Sequence, residues 1–212
     1  MTGIAQNLQA IGERLKGAGG VSLLAVSKGQ SVQRIREAAA AGQKTFGENY
    51  VQEALEKMQA LPDLEWHLIG ALQSNKTRLA AEHFAWVQTI ASEKIARRLA
   101  EQRPEQFPPL NVLIQVNASG ESSKSGVAPA EVEDLAGKVT VMPRLRLRGL
   151  MAIPEPGAPR ERYREVKSLF ERMKLKFGFD TLSMGTSGDM DLAIAEGATM
   201  VRIGTAIFGQ RT

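Results

Sequence analysis

A lysine does covalent chemistry only as the neutral amine, and Lys28 stands where that form is accessible. It closes a short apolar run, Val21-Ser22-Leu23-Leu24-Ala25-Val26-Ser27-Lys28. The length and the Val and Leu content of that run read as a buried strand. A strand buried on both faces belongs to a parallel sheet. An ammonium at its C-terminal end then sits in an apolar mouth, where desolvation lowers a lysine pKa. The fraction left as free amine is the nucleophile that imine formation needs. On this fragment alone, a solvated lysine just past a strand is the commoner arrangement.

Two further segments carry chemical potential. Ser183-Met184-Gly185-Thr186-Ser187-Gly188-Asp189 runs from an apolar stretch into a short helix. Its glycines let backbone approach a ligand, Ser187 offers a hydroxyl, and the helix start offers free N–H groups. Arg202-Ile203-Gly204-Thr205 has the same character. Each loop alone is equally well a tight turn. Arg202 points inward if strand alternation holds, and a buried guanidinium requires acceptors. Those are either a heteroaromatic nitrogen of a bound cofactor or an acidic side chain in a structural ion pair.

The elements that would position these residues alternate, strand then helix. A leading helix covers about 3–16 and ends at Gly19-Gly20. Strands are expected at 21–27, 45–47, 65–69, 85–88, 110–116, 145–149, 181–184 and 200–203. Helices are expected at 32–41, 50–60, 74–81, 93–102, 130–138, 161–176 and 190–196. Ser31 and Ser92 sit where N-caps belong, and Pro129 opens a helix. Eight such units argue for an α/β fold, a closed (β/α)8 TIM barrel with an extra N-terminal helix. A doubly wound open sheet is the alternative. Barrel sites form at the C-terminal ends of strands, and phosphate is held after strands seven and eight. An activated lysine facing such a cradle suggests pyridoxal 5′-phosphate (PLP), whose aldehyde forms an imine with lysine. A Schiff-base aldolase acting on sugar phosphates would use the same two features.

Composition removes other classes. The chain has 212 residues, 43% of them hydrophobic, enough for a sizeable core. Lys and Arg total 27 against 23 Asp and Glu, and this scattered net +4 does not indicate nucleic acid. There is no cysteine, hence no disulfide, thiolate metal site or cysteine nucleophile. Two histidines, His67 and His83, leave little for a metal. No signal peptide or membrane-spanning stretch is present, which points to a cytoplasmic protein.

Several segments resemble one family. They are Ala25-Val26-Ser27-Lys28, Phe46-Gly47-Glu48-Asn49-Tyr50, Trp66 through Lys76, Arg148-Gly149-Leu150-Met151, Ser183 through Ser187, and Met200 through Gly209. They are similar to the pyridoxal-phosphate homeostasis proteins (the YggS/PROSC family), which share the fold of the alanine racemase N-terminal barrel. The resemblance runs in order along nearly the whole chain. It implies a single barrel domain over 1–212 that holds PLP as a Schiff base on Lys28. It implies that Ser187 and the backbone of Gly204 and Thr205 hold the phosphate, and that Arg202 faces the pyridine nitrogen. Asn49 and Met151 would line the cofactor's sides, and His67 and Ile69 would support the floor. A hydrogen-bonded core histidine is an equally good reading of His67. The chain departs from the family pattern at Ala71, at Gly29-Gln30-Ser31 and at Thr186. Lys124 is either a secondary phosphate contact or a solvated loop lysine.

An arginine at the ring nitrogen cannot give up its proton, which makes the ring a weaker electron sink than a carboxylate partner would. Racemisation needs a base on each face of the substrate carbon, and Lys28 serves one. In alanine racemases a tyrosine of a separate C-terminal domain serves the other, and this chain ends at Thr212. Tyr163 is expected on the sixth outer helix, far from the mouth, and Tyr50 at a helix start. The expectation is therefore a PLP carrier in cofactor homeostasis and amino-acid balance, not an enzyme. A slow PLP-dependent amino-acid racemase is the alternative. The expected partners are PLP and PLP-dependent apoenzymes, with no nucleic acid, membrane or metal, and the expected state is a monomer.

Overall fold

A computed structural model of the chain describes residues 3–119 and 125–210. Eight strands close a barrel in chain order. They are β1 (Ser22–Val26), β2 (Thr45–Glu48), β3 (Glu65–Leu68), β4 (Trp86–Ile90), β5 (Leu110–Val116), β6 (Leu145–Ala152), β7 (Thr181–Ser183) and β8 (Met200–Ile203). All neighbours are parallel, and β8 returns to β1 with Leu24 opposite Arg202. This is a (β/α)8 barrel, and it excludes the open sheet.

The strands are connected by α2 (Val32–Ala40), α3 (Val51–Ala60), α4 (Thr77–His83), α5 (Glu93–Gln102), α6 (Val132–Thr140), α7 (Arg160–Phe177) and α8 (Met190–Ala195). The Ser31 and Ser92 side chains accept N–H bonds from Arg34 and Ile95, so both act as N-caps. The extra helix α1 (Ile4–Lys16) buries Ile4, Leu8 and Ile11. Through Asn7 it also donates to the Ile207 carbonyl in α9 (Thr205–Phe208), at 2.8 Å. It thus braces the segment that follows β8.

A strand and a helix differ from the sequence reading. β6 runs on to Ala152 because Leu150 and Met151 pair with β7 while Ile114 through Val116 pair on its other side. The stretch 74–81 begins as a 3₁₀ turn, Ser74–Lys76, before α4.

The main apolar core lies between the strands and the helix layer, around Phe46, Trp66, Leu99, Phe170 and Ile203. The lumen differs. It holds a small separate cluster of Trp86, Leu113 and Met151, and above it a set of polar side chains. Ser183 on β7 bonds Gln88 on β4, strands that are not neighbours, so the bond crosses the interior. Among the described residues, no helix is long and apolar enough to cross a membrane.

Candidate functional site

Lys28 follows β1 and is half-buried. The backbone on both sides of it is held by one buried ionic cluster. The Lys57 ammonium, from α3, donates to the Ser27 carbonyl at 2.8 Å and to Glu48 and Glu53 at 2.7 Å each. Glu53 in turn accepts the Gly29 N–H at 2.6 Å. The Ser27 hydroxyl donates to Glu48. Glu48 is fully buried, and burial outweighs its bonds to Lys57 and Ser27, so its pKa is raised. The residue before Lys28 and the residue after it are therefore both pinned. Sequence reasoning missed this cluster, although the i,i+4 spacing of Glu53 and Lys57 was a visible signal.

The C-terminal ends of the strands surround a cavity of about 410 Å³. Of the nine residues expected at the site, seven line it: Lys28, Asn49, Ile69, Ser187, Arg202, Gly204 and Thr205. Met151 and His67 are not on its wall. Met151 is fully buried one layer down, against Trp86 and Leu113. Because β6 is longer than expected, Ile153, two residues on, reaches the wall instead. His67 is also buried below, stacked on Trp86 with ring centroids 5.0 Å apart. The core-histidine reading is the one that describes its place. Lys124 lies outside the described residues.

The loops after β7 and β8 meet at Ser187, whose Oγ accepts the Ala206 N–H at 3.3 Å. Gly185 lets the first loop turn. Its φ is +100°, and a Cβ there would stand 2.5 Å from the Ala193 Cβ. Asp189 then ties the loop, accepting the Thr186 N–H at 2.7 Å and the Thr186 hydroxyl at 2.6 Å. Its other oxygen accepts the Tyr163 hydroxyl at 2.6 Å. Tyr163 was expected far from the mouth, yet it buttresses the loop that lines it. Burial, reinforced by the Asp189 bond, pushes its pKa well above the ordinary tyrosine value.

Arg202 enters the cavity from below. Its Nη1 donates to Ser183 Oγ at 2.8 Å and its Nη2 to the Ala152 carbonyl at 2.9 Å. Burial lowers its pKa to about 10 and Asp189 opposes this, so the guanidinium remains a cation at neutral pH. Two of its five N–H groups are used in these bonds. The acceptors are neutral, so the alternative of a direct ion pair with an acidic side chain is not what holds it. Among the described residues no cluster of three metal-ligating side chains occurs.

Comparison with known proteins agrees with this architecture. The alanine racemase N-terminal domain family model matches residues 1–212. A Pseudomonas aeruginosa protein named pyridoxal phosphate homeostasis protein is 53% identical, covering 100% of this chain and 97% of its own. One of the same name from Escherichia coli K12 is 50% identical, over 100% and 98%. The structure of PipY from Synechococcus elongatus with PLP bound is 36% identical with a TM-score of 0.87, covering 97% of this chain and 100% of that one. An alanine racemase from Corynebacterium glutamicum, 20% identical, shares the fold at a TM-score of 0.76 over 98% of this chain and 60% of its own. The chain belongs to the alanine racemase N-terminal domain family and, within it, to the pyridoxal phosphate homeostasis proteins.

Proposed function

We propose that the chain binds PLP in this cavity, with Lys28 as covalent anchor, and serves PLP homeostasis by holding the cofactor without turning over a substrate. One observation carries the reading: a lysine, a buried guanidinium and the two hydroxyl- and N–H-bearing loops converge on one cavity of about 410 Å³. That volume lies in the range of small-molecule sites, and the donor set suits an anionic phosphate at one end and a nitrogen acceptor at the other. When bound, PLP supplies an aldehyde carbon open to attack by a neutral amine, the carbonyl oxygen leaving as water.

The chain's own residues divide the work. The cluster of Lys57, Glu48 and Glu53 fixes the backbone from which Lys28 reaches into the cavity. Ser187 and the backbone of Gly204 and Thr205 offer donors to the phosphate. Arg202 presents N–H donors and keeps its proton, since its pKa of about 10 is well above neutrality. Asn49 and Ile69 would flank the ring, and His67 and Met151 would act from beneath.

The wall also supports retention over turnover. Among its described residues are no histidine, tyrosine, aspartate or glutamate, so the wall places no second acid–base side chain of those types across from Lys28. Tyr163 is committed to Asp189, and Tyr50 is exposed. We extend the proposal to PLP-dependent apoenzymes in the cytoplasm as recipients; the relatives' name gives PLP homeostasis as the role this would serve. Titrating the purified protein with PLP tests this. The wild type should develop the visible absorption of covalently held cofactor, and Lys28→Ala should not. The same absorption in the variant would refute Lys28 as the anchor.

A further inference from the structure

The lumen beneath the cavity holds a row of polar side chains whose joint action the PLP reading leaves open. Glu65, at the start of β3, ends it on the far side of the barrel. Its carboxylate is an acceptor only, and the bond to His67 holds its pKa below the usual range. His67 lies 2.9 Å from it through Nε2. Burial pushes the His67 pKa down despite that carboxylate, so the ring is neutral and has one N–H. An acceptor-only partner draws that proton to Nε2, which leaves Nδ1 as an acceptor. Nδ1 takes the amide N–H of Gln88 at 2.9 Å. The amide so oriented turns Oε1 toward Ser183, whose hydroxyl donates to it at 2.7 Å. The lone pairs of Ser183 are then left for Arg202 Nη1, at 2.8 Å.

Every donor in this row points the same way, from a cation at the cavity floor to an anion on the opposite face. Aligned bonds of this kind polarise one another in a low-dielectric interior. The two ends are also held. Trp86 stacks on His67 with an interplanar angle of 12° and carries the Arg148 guanidinium on its own ring at 4.9 Å. The Ala152 carbonyl gives Arg202 its second fixed acceptor.

We propose that His67, Gln88 and Ser183 are positioning residues that fix the direction of the Arg202 guanidinium, and so the place where the nitrogen of the PLP ring is met. The proposal rests on the PLP reading above. The mechanism is one of hydrogen-bond direction. Without the Gln88 oxygen, the Ser183 hydroxyl proton loses its acceptor. Turned toward Arg202, it opposes the guanidinium instead of receiving it.

Nitrogen-15 NMR of the PLP-free 212-residue chain, combined with PLP titration, tests this. In the wild type, His67 should be protonated on Nε2 alone, and Arg202 should show a slowly exchanging, non-averaged guanidinium resonance. Gln88→Leu and Ser183→Ala should each lose that Arg202 signature, weaken PLP binding about tenfold and shift the visible band. Gln88→Glu still accepts from Ser183, so it should restore the Arg202 signature and most of the affinity. Having no N–H to give, it should switch His67 to the doubly protonated ring. A wild-type His67 protonated on Nδ1 would overturn the proposal. So would an unchanged Arg202 signature in a folded Ser183→Ala, the gentler truncation should Gln88→Leu not fold. If the wild type bound no PLP, the functional reading would fail, and the Arg202 and His67 resonances would still decide the positioning claim.

Discussion

A strand-end lysine gains its meaning from what surrounds it, and for Lys28 the decisive neighbours are distant in sequence. Lys57 and Glu53 hold the backbone on either side of it, and Glu48 completes the cluster. The seven candidate residues that line the cavity were legible because they stand at or just past the C-terminal ends of strands. Their supports were not legible, because a hydroxyl reaching from α7 to the β7 loop leaves no local pattern. Tyr163→Phe should cost about 1–3 kcal/mol by removing one of the acceptor bonds of Asp189, and should weaken PLP binding severalfold. Urea denaturation and PLP titration would check both. His67 makes a pH prediction. Its pKa is lowered in the fold, so the unfolded chain takes up a proton below about pH 6.5 that the folded chain refuses. Stability should fall with pH there, by at most about 1.4 kcal/mol per unit. Glu48, whose pKa is raised by burial, works in the opposite sense, from its ordinary carboxylate value upward. The wild-type midpoint minus the His67→Gln midpoint, measured by denaturation from pH 7 to 5, isolates the His67 contribution and should increase as the pH rises.

At the scale of elements, the strand and helix alternation was readable because the apolar runs are short and the caps are in place. What the runs could not give was strand length where pairing partners decide it. β6 extends to Ala152, and that extension moves Met151 below the cavity and brings Ile153 to it. Two glycines separate close approach from open space. A Cβ on Gly70 would stand 2.1 Å from the Asn49 carbonyl oxygen, so the ends of β2 and β3 would be forced apart. Gly70→Ala should destabilise by about 3 kcal/mol or more and displace Asn49 from the cavity wall. Gly137, within α6, has nothing within 4 Å of its added Cβ. Gly137→Ala should therefore stabilise by about 0.5–1 kcal/mol through helix propensity and a more restricted unfolded chain. Thermal melts of the pair would show shifts of opposite sign.

For the whole molecule, barrel closure was the legible part, since eight alternating units leave few topologies. The content of the lumen was not, because inward and outward positions on strands buried on both faces look alike in composition. The polar row from Glu65 to Arg202 and the apolar cluster of Trp86, Leu113 and Met151 share that interior. A ligand that binds only the folded barrel must stabilise it. PLP at about one hundred times its dissociation constant should add about 2.7 kcal/mol, a rise in Tm of several degrees for a chain of this size. Lys28→Ala should lose most of that rise. The covalent claim itself is tested most directly by borohydride reduction of the PLP-loaded protein, followed by peptide mass mapping. The account predicts one reduced adduct, on the peptide carrying Lys28. An adduct on Lys57, Lys76 or any other lysine, with Lys28 unmodified, would contradict it.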